Sequence, residues 1–64
     1  MLGVSPNFNK YIGARIKRKR KELGISLVQL AELLKLSYQQ VQKYESGASK
    51  ISADKLALIS HIFS

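Results

Sequence analysis

Sixty-four residues carrying eleven Lys and Arg against four Asp and Glu give a formal charge of +7 and a pI near 10.1. One histidine, one aspartate (Asp54) and no cysteine leave no set of residues for a metal cluster, a disulfide or a Ser-His-Asp triad, so neither a cofactor nor a catalytic site is expected. A hydrophobic content of 45% suits a globular core and no apolar run approaches the ~20 residues of a membrane span, so one soluble, intracellular domain over residues 1–64 is expected.

Residues 1–7, with Gly3 and Pro6, read as a flexible arm. From Phe8 the apolar residues Phe8, Ile12, Ile16 and Leu23 fall four, four and seven apart, which is one face of a helix. Gly24 is its natural stop. Seven of the eleven cations lie between Lys10 and Lys21 and flank that face. Arg20 is different, because it falls one turn after Ile16 and can point inward. A field this concentrated favours polyanions through counterion release, whatever their sequence.

Ser26 reads as the N-cap of a second helix, with Gln29 completing a capping box in which each side chain reaches the other's backbone N–H. Leu30, Ala31, Leu33 and Leu34 form its apolar side. Ser37 and Gln40 repeat the box eleven residues later. The second helix must therefore end near Leu34, and a third begins at Tyr38 and runs to Ser46 before Gly47. Val41 and Tyr44 are its inward residues, while Gln39, Gln42, Lys43 and Ser46 form a polar stripe at i, i+3, i+4 and i+7. Two short helices crossing steeply need a small residue at their closest approach, and Ala31 supplies it. Ser52 caps a last helix through Ile62, with Leu56, Ile59, Ile62 and Phe63 facing the core. The pattern contains no strand, so the expected fold class is all-α with four short helices.

The ordered set Ile12-Gly13-Ala14-Arg15-Ile16, Arg20, Leu23-Gly24-Ile25-Ser26, Leu30-Ala31, Val41, Tyr44-Glu45 and Gly47 resembles the Cro and phage-repressor (XRE-type) family of helix-turn-helix DNA-binding domains. The resemblance covers Ile12 to Phe63, about four fifths of the sequence. The run Gln39-Gln40-Val41-Gln42-Lys43-Tyr44-Glu45 is similar to a bacterial branch of it. What the resemblance implies is a lambda-repressor-like domain whose third helix enters the major groove. Tyr38, Gln39 and Lys43 would face the bases, with Gln42 at the edge of that face. Gln40 would be set aside, its amide being used by the capping box. Phosphates would meet Lys17, Ser37, Ser46 and Lys50, together with backbone N–H groups at the starts of the second and third helices. Arg20 would pair with Glu45 as a structural clasp. The implied partner is double-stranded operator DNA bound by a homodimer, the implied role that of a bacterial or phage repressor, and the implied place the cytoplasm at the nucleoid. No membrane and no small-molecule substrate are implied.

Three positions depart from that pattern. Leu27 stands where many members have a glutamine, so a backbone contact is lost there. Lys35 stands where the turn commonly carries a glycine with positive φ. The sequence also stops soon after the fourth helix, so dimerisation uses the apolar end at Ile62 and Phe63, or these residues are the N-terminal part of a longer regulator with a fifth helix. Two other roles use the same domain: an antitoxin, or a restriction-modification controller. A cationic membrane-surface peptide is the remaining alternative, and the narrow apolar stripe between Lys10 and Lys21 weighs against it.

Overall fold

A computed structural model describes residues 8–64; the arm expected over residues 1–7 lies outside the described residues. Four helices follow one another: α1 (Phe8–Glu22), α2 (Leu27–Leu34), α3 (Tyr38–Ser46) and α4 (Ala53–Phe63). Among the described residues there is no strand. Their ends are set by local chemistry. Gly24, at φ 72°, turns the chain out of α1 while its N–H and that of Ile25 bond the Lys21 and Arg20 carbonyls, both at 3.0 Å. The capping box at α2 is complete: Gln29 N–H donates to Ser26 Oγ at 3.0 Å and Ser26 N–H to Gln29 Oε1 at 2.8 Å.

The turn between α2 and α3 repeats the same closing motif without a glycine. Lys35 takes φ 57°, its N–H bonds the Glu32 carbonyl at 3.2 Å, and Leu36 N–H bonds the Ala31 carbonyl at 3.0 Å. A left-handed lysine carries a steric cost of roughly 1–2 kcal/mol that glycine would avoid. Lys55 of α4 supports this turn from outside, donating from Nζ to the Leu34 carbonyl at 3.0 Å.

At α3 only half of the expected second box forms. Ser37 Oγ accepts from Gln40 N–H at 3.2 Å, but the Gln40 carboxamide donates instead to Ser49 Oγ at 3.3 Å. The reason is the course of the chain after Gly47 (φ 83°), where Ala48 and Ser49 both bond back to the Lys43 carbonyl. That fold-back lays Ser49 beside the turn that carries Gln40.

The core is Ile16, Leu30, Ala31, Leu34, Val41 and Ile59, with Ile12, Ile25, Leu27, Leu36, Ile51, Ile62 and Phe63 packed around it. Leu27 is therefore a packing residue. Four expected core residues are not buried: Phe8, Leu23, Leu33 and Leu56 are 48%, 49%, 51% and 38% exposed. A domain this small has too little interior to cover a broad apolar face on every helix, so only the sector of each helix aimed at its neighbours is covered.

What seats α3 on α1 is a close backbone approach and one ion pair. A Cβ placed on Gly13 would lie 2.7 Å from the Glu45 carbonyl oxygen and still closer to that of Tyr44. Beside this contact Arg20 and Glu45, both only 8% exposed, meet as a two-toothed fork. Arg20 Nε donates to Glu45 Oε2 at 2.6 Å and Nη2 to Oε1 at 3.0 Å, while Nη1 donates to the Ile25 carbonyl at 2.9 Å. The hydrogen bonds it donates to Glu45 raise the Arg20 guanidinium above its ordinary value, against the opposing effect of burial. The pair therefore stays charged on the arginine side throughout the range in which proteins fold.

Two predictions follow from this seating. Gly13→Ala should lower stability by about 1–3 kcal/mol in thermal or urea melts despite alanine's better helix propensity, because its methyl group collides with backbone that cannot swing away. Arg20→Ala and Glu45→Ala should each cost roughly 3–5 kcal/mol, the charge left behind being buried and unpaired. The double variant should cost well below the sum, and strictly additive losses would show that the two side chains do not interact.

Candidate nucleic-acid interface

The side of α3 opposite Val41, Tyr44 and Glu45 faces solvent. At about 100° per residue, Tyr38, Gln42, Ser46, Gln39 and Lys43 span one continuous sector of this helix. All five are exposed, with Tyr38 at 48%. The sector carries amide donors and acceptors, an ammonium and a phenol. An α-helix with its side chains is about 10–12 Å across and fits a duplex major groove about 12 Å wide. Nothing within the protein uses the Gln39, Gln42 or Lys43 side-chain polar atoms among the described residues, whereas the neighbouring Gln40 is fastened to Ser49.

The residues expected at phosphates fall around this sector, with different freedom. Ser37 accepts the Gln40 N–H through its oxygen, which leaves its hydroxyl proton to give. Lys50 is exposed in the loop that follows α3, one residue past Ser49, so the Gln40–Ser49 bond anchors its base. Lys17 is exposed on α1 and shares a groove with Ser46 at the C-terminal end of α3. Ser46 is engaged locally. Its exposed hydroxyl donates to the Lys43 carbonyl at 3.2 Å and its oxygen receives the Ala48 N–H at 3.4 Å, so in the free protein it also helps to close the helix end. The Lys43 carbonyl also receives the Ala48 N–H at 2.9 Å and the Ser49 N–H at 3.3 Å, so the serine hydroxyl adds to a helix end that backbone donors already close.

Arg20 and Glu45 lie beneath the interface, not on it, and act by fixing the rotation of α3. Two supports had no sequence signal. Gln40 to Ser49 spans nine residues across a glycine turn, and Lys55 to Leu34 spans twenty-one. Neither spacing belongs to a local motif. Among the described residues there is no group of three or more His, Cys, Asp or Glu able to hold a metal ion, and no helix long and apolar enough to cross a membrane.

Comparison with known proteins bears on the family and the fold. A helix-turn-helix family profile matches residues 16–64. The chain is 42% identical over 52 residues to an uncharacterized HTH-type transcriptional regulator of Sinorhizobium medicae (strain WSM419), an alignment covering 81% of this chain and 37% of that protein. It is 40% identical over 56 residues to an uncharacterized HTH-type transcriptional regulator of Rickettsia conorii, covering 88% of this chain and 45% of that protein. The chain thus spans less than half the length of these curated relatives. The crystal structure of the clp gene regulator ClgR from C. glutamicum superposes with a TM-score of 0.85 at 27% identity, covering 92% of this chain and 77% of that one.

Proposed function

The chain belongs to the helix-turn-helix family, and we propose that it binds double-stranded operator DNA sequence-specifically and regulates transcription as a repressor, with α3 laid in the major groove. The observation that carries this reading is the unspent polar sector of α3. Gln39, Gln42 and Lys43 are exposed on a helix whose other side is locked down by a buried ion pair. A helix held that firmly spares the ordering of its backbone on binding, leaving only the cost of fixing the exposed side chains.

The roles follow from donor and acceptor geometry. Gln39 bonds an adenine through N6 and N7 in a bidentate pair, and Lys43 donates to guanine O6 or N7. Tyr38, at the first position of the helix, lays its ring against a thymine methyl or gives its hydroxyl to a base, and Gln42 reads at the edge of the sector. Ser37, Ser46, Lys17 and Lys50 hold phosphates, joined by the free N–H groups at the starts of α2 and α3, where the helix dipole favours anions. Two-fold related half-sites call for a homodimer. The half-covered residues Ile62 and Phe63 supply its apolar contact, Phe63 lining one groove with exposed Leu56 and Phe8. The site of action under this reading is the nucleoid, in the cytoplasm.

Selection from a pool of random duplexes should enrich one partly symmetric sequence. On that sequence Gln39→Ala should lose about 1–3 kcal/mol of binding, and on unselected DNA almost none. Equal losses on both would reject base reading by Gln39, and failure to enrich any sequence would reject the proposed function itself.

A further inference from the structure

The cations of α1 are not spread evenly round the helix. At about 100° per residue, Lys10, Lys17 and Lys21 fall within roughly 40° of one another and extend about 16 Å along the axis. Lys19 lies on the opposite side, and Arg15 most of the way round to it, stacked over the Tyr11 ring at 5.8 Å. All three lysines of the row are exposed and line one open groove with Ala14 of α1 and with Glu45 and Ser46 of α3. Ser46 is also part of the solvent-facing sector of α3. The row and that sector are therefore adjoining parts of one surface. A second observation fixes the join: a Cβ on Gly47, at the end of α3, would lie 2.7 Å from the Lys10 Cα.

The charge of the row is uncompensated. The ion pairs among the described residues are Arg18–Glu22, at 3.5 Å, and Arg20–Glu45. These account for both carboxylates that border the groove, Glu22 and Glu45. Glu45 is turned away from the groove opening, its side chain 6% exposed and held by Arg20. Three ammonium groups thus stand in line on a face whose acids are already occupied. A file of phosphates along one nucleic-acid strand is the ligand whose charge and repeat suit it.

We infer that Lys10, Lys17 and Lys21 form a track for the DNA backbone flanking the base-reading helix, extending the contact beyond the stretch that α3 touches. The inference rests on the proposed function and deepens it, adding Lys10 and Lys21 as phosphate contacts and assigning α1 as a second DNA-binding element. Ser46 is the pivot between the two, closing the helix end that both share.

The test compares charge position at constant net charge. Lys10→Gln/Lys21→Gln removes two charges from the row, and Arg15→Gln/Lys19→Gln removes two from the far side of the same helix; all four sites are exposed, and melting curves check that both variants fold. The slope of log Kobs against log salt concentration is measured for each on a 30-bp duplex of random sequence and on the selected duplex. The row variant should flatten the slope by about 1–2 on both duplexes, since each released phosphate contact contributes about 0.9. The far-side variant should leave it within a few tenths of the unsubstituted protein. Equal flattening by the two variants would mean that only net charge matters and would overturn the track. So would an unchanged slope in the row variant accompanied by weaker binding of poly-glutamate, which would assign the groove to an acidic protein. If the slope difference appears while no sequence is preferred, base reading by α3 fails and the track stands.

Discussion

The seat of α3 depends on a charge pair buried between α1 and α3. Arg20 spends three of its donor groups at once, two on Glu45 and one on the Ile25 carbonyl just before the N-cap of α2. One side chain therefore ties three segments: the end of α1, the turn beyond it and the last turns of α3. An apolar pair of equal volume could fill the space and give comparable stability. It would not select a rotation, because dispersion contacts tolerate sliding, whereas a planar fork meeting a carboxylate accepts a narrow range of angles. For a helix that must aim particular side chains outward, angular definition is the property that matters.

The fork works only because the backbones around it come close. Gly13 lets α1 touch the carbonyls of Tyr44 and Glu45, Gly47 lets the end of α3 meet Lys10, and Ala31 sits 3% exposed where α2 crosses. Each small residue removes volume from the inward side of the packing. Gln39, Gln42 and Lys43 consequently lie on the side that has room for them, while Gln40 and Glu45 are held by Ser49 and Arg20. The polar sector is thus the remainder of the packing problem: what the core cannot take is what the solvent face presents. The same logic leaves Leu33 and Leu56 outside, since a 64-residue chain has no further layer to cover them.

Element boundaries were legible because they are written within three or four residues. Ser26, Ser37 and Ser52 each accept the N–H three residues on, and Gly24 and Gly47 each adopt the positive φ that ends a helix. The polar stripe of α3 was legible for a related reason, since it needs only the helical period. Contacts between distant positions were not written in this way. Arg20 and Glu45 stand twenty-five residues apart, and their pairing was implied by family resemblance, not by spacing. The Gln40–Ser49 and Lys55–Leu34 bonds had neither source, because they depend on how a turn brings two segments side by side. Ser46 shows the converse. Its place on the stripe was visible, but not that its hydroxyl also donates to the Lys43 carbonyl, which the Ala48 and Ser49 N–H groups reach as well.

Joining the basic row of α1 to the polar sector of α3 through one rigid contact has a mechanical consequence. Backbone attraction and base reading would then act on the same body, with no hinge at Gly13 or Gly47 to absorb misalignment, since both glycines are packed against backbone. A phosphate file seated along α1 would hold α3 at a set depth and angle in the groove whether or not the bases match. Mismatched sequence could not be accommodated by tilting the helix without lifting lysines from phosphates, so a base mismatch would weaken both sets of contacts together. Non-specific charge would in that way sharpen discrimination as well as add affinity, and the small left-handed strain at Lys35, braced by Lys55, lies on the turn that must hold for this coupling to persist.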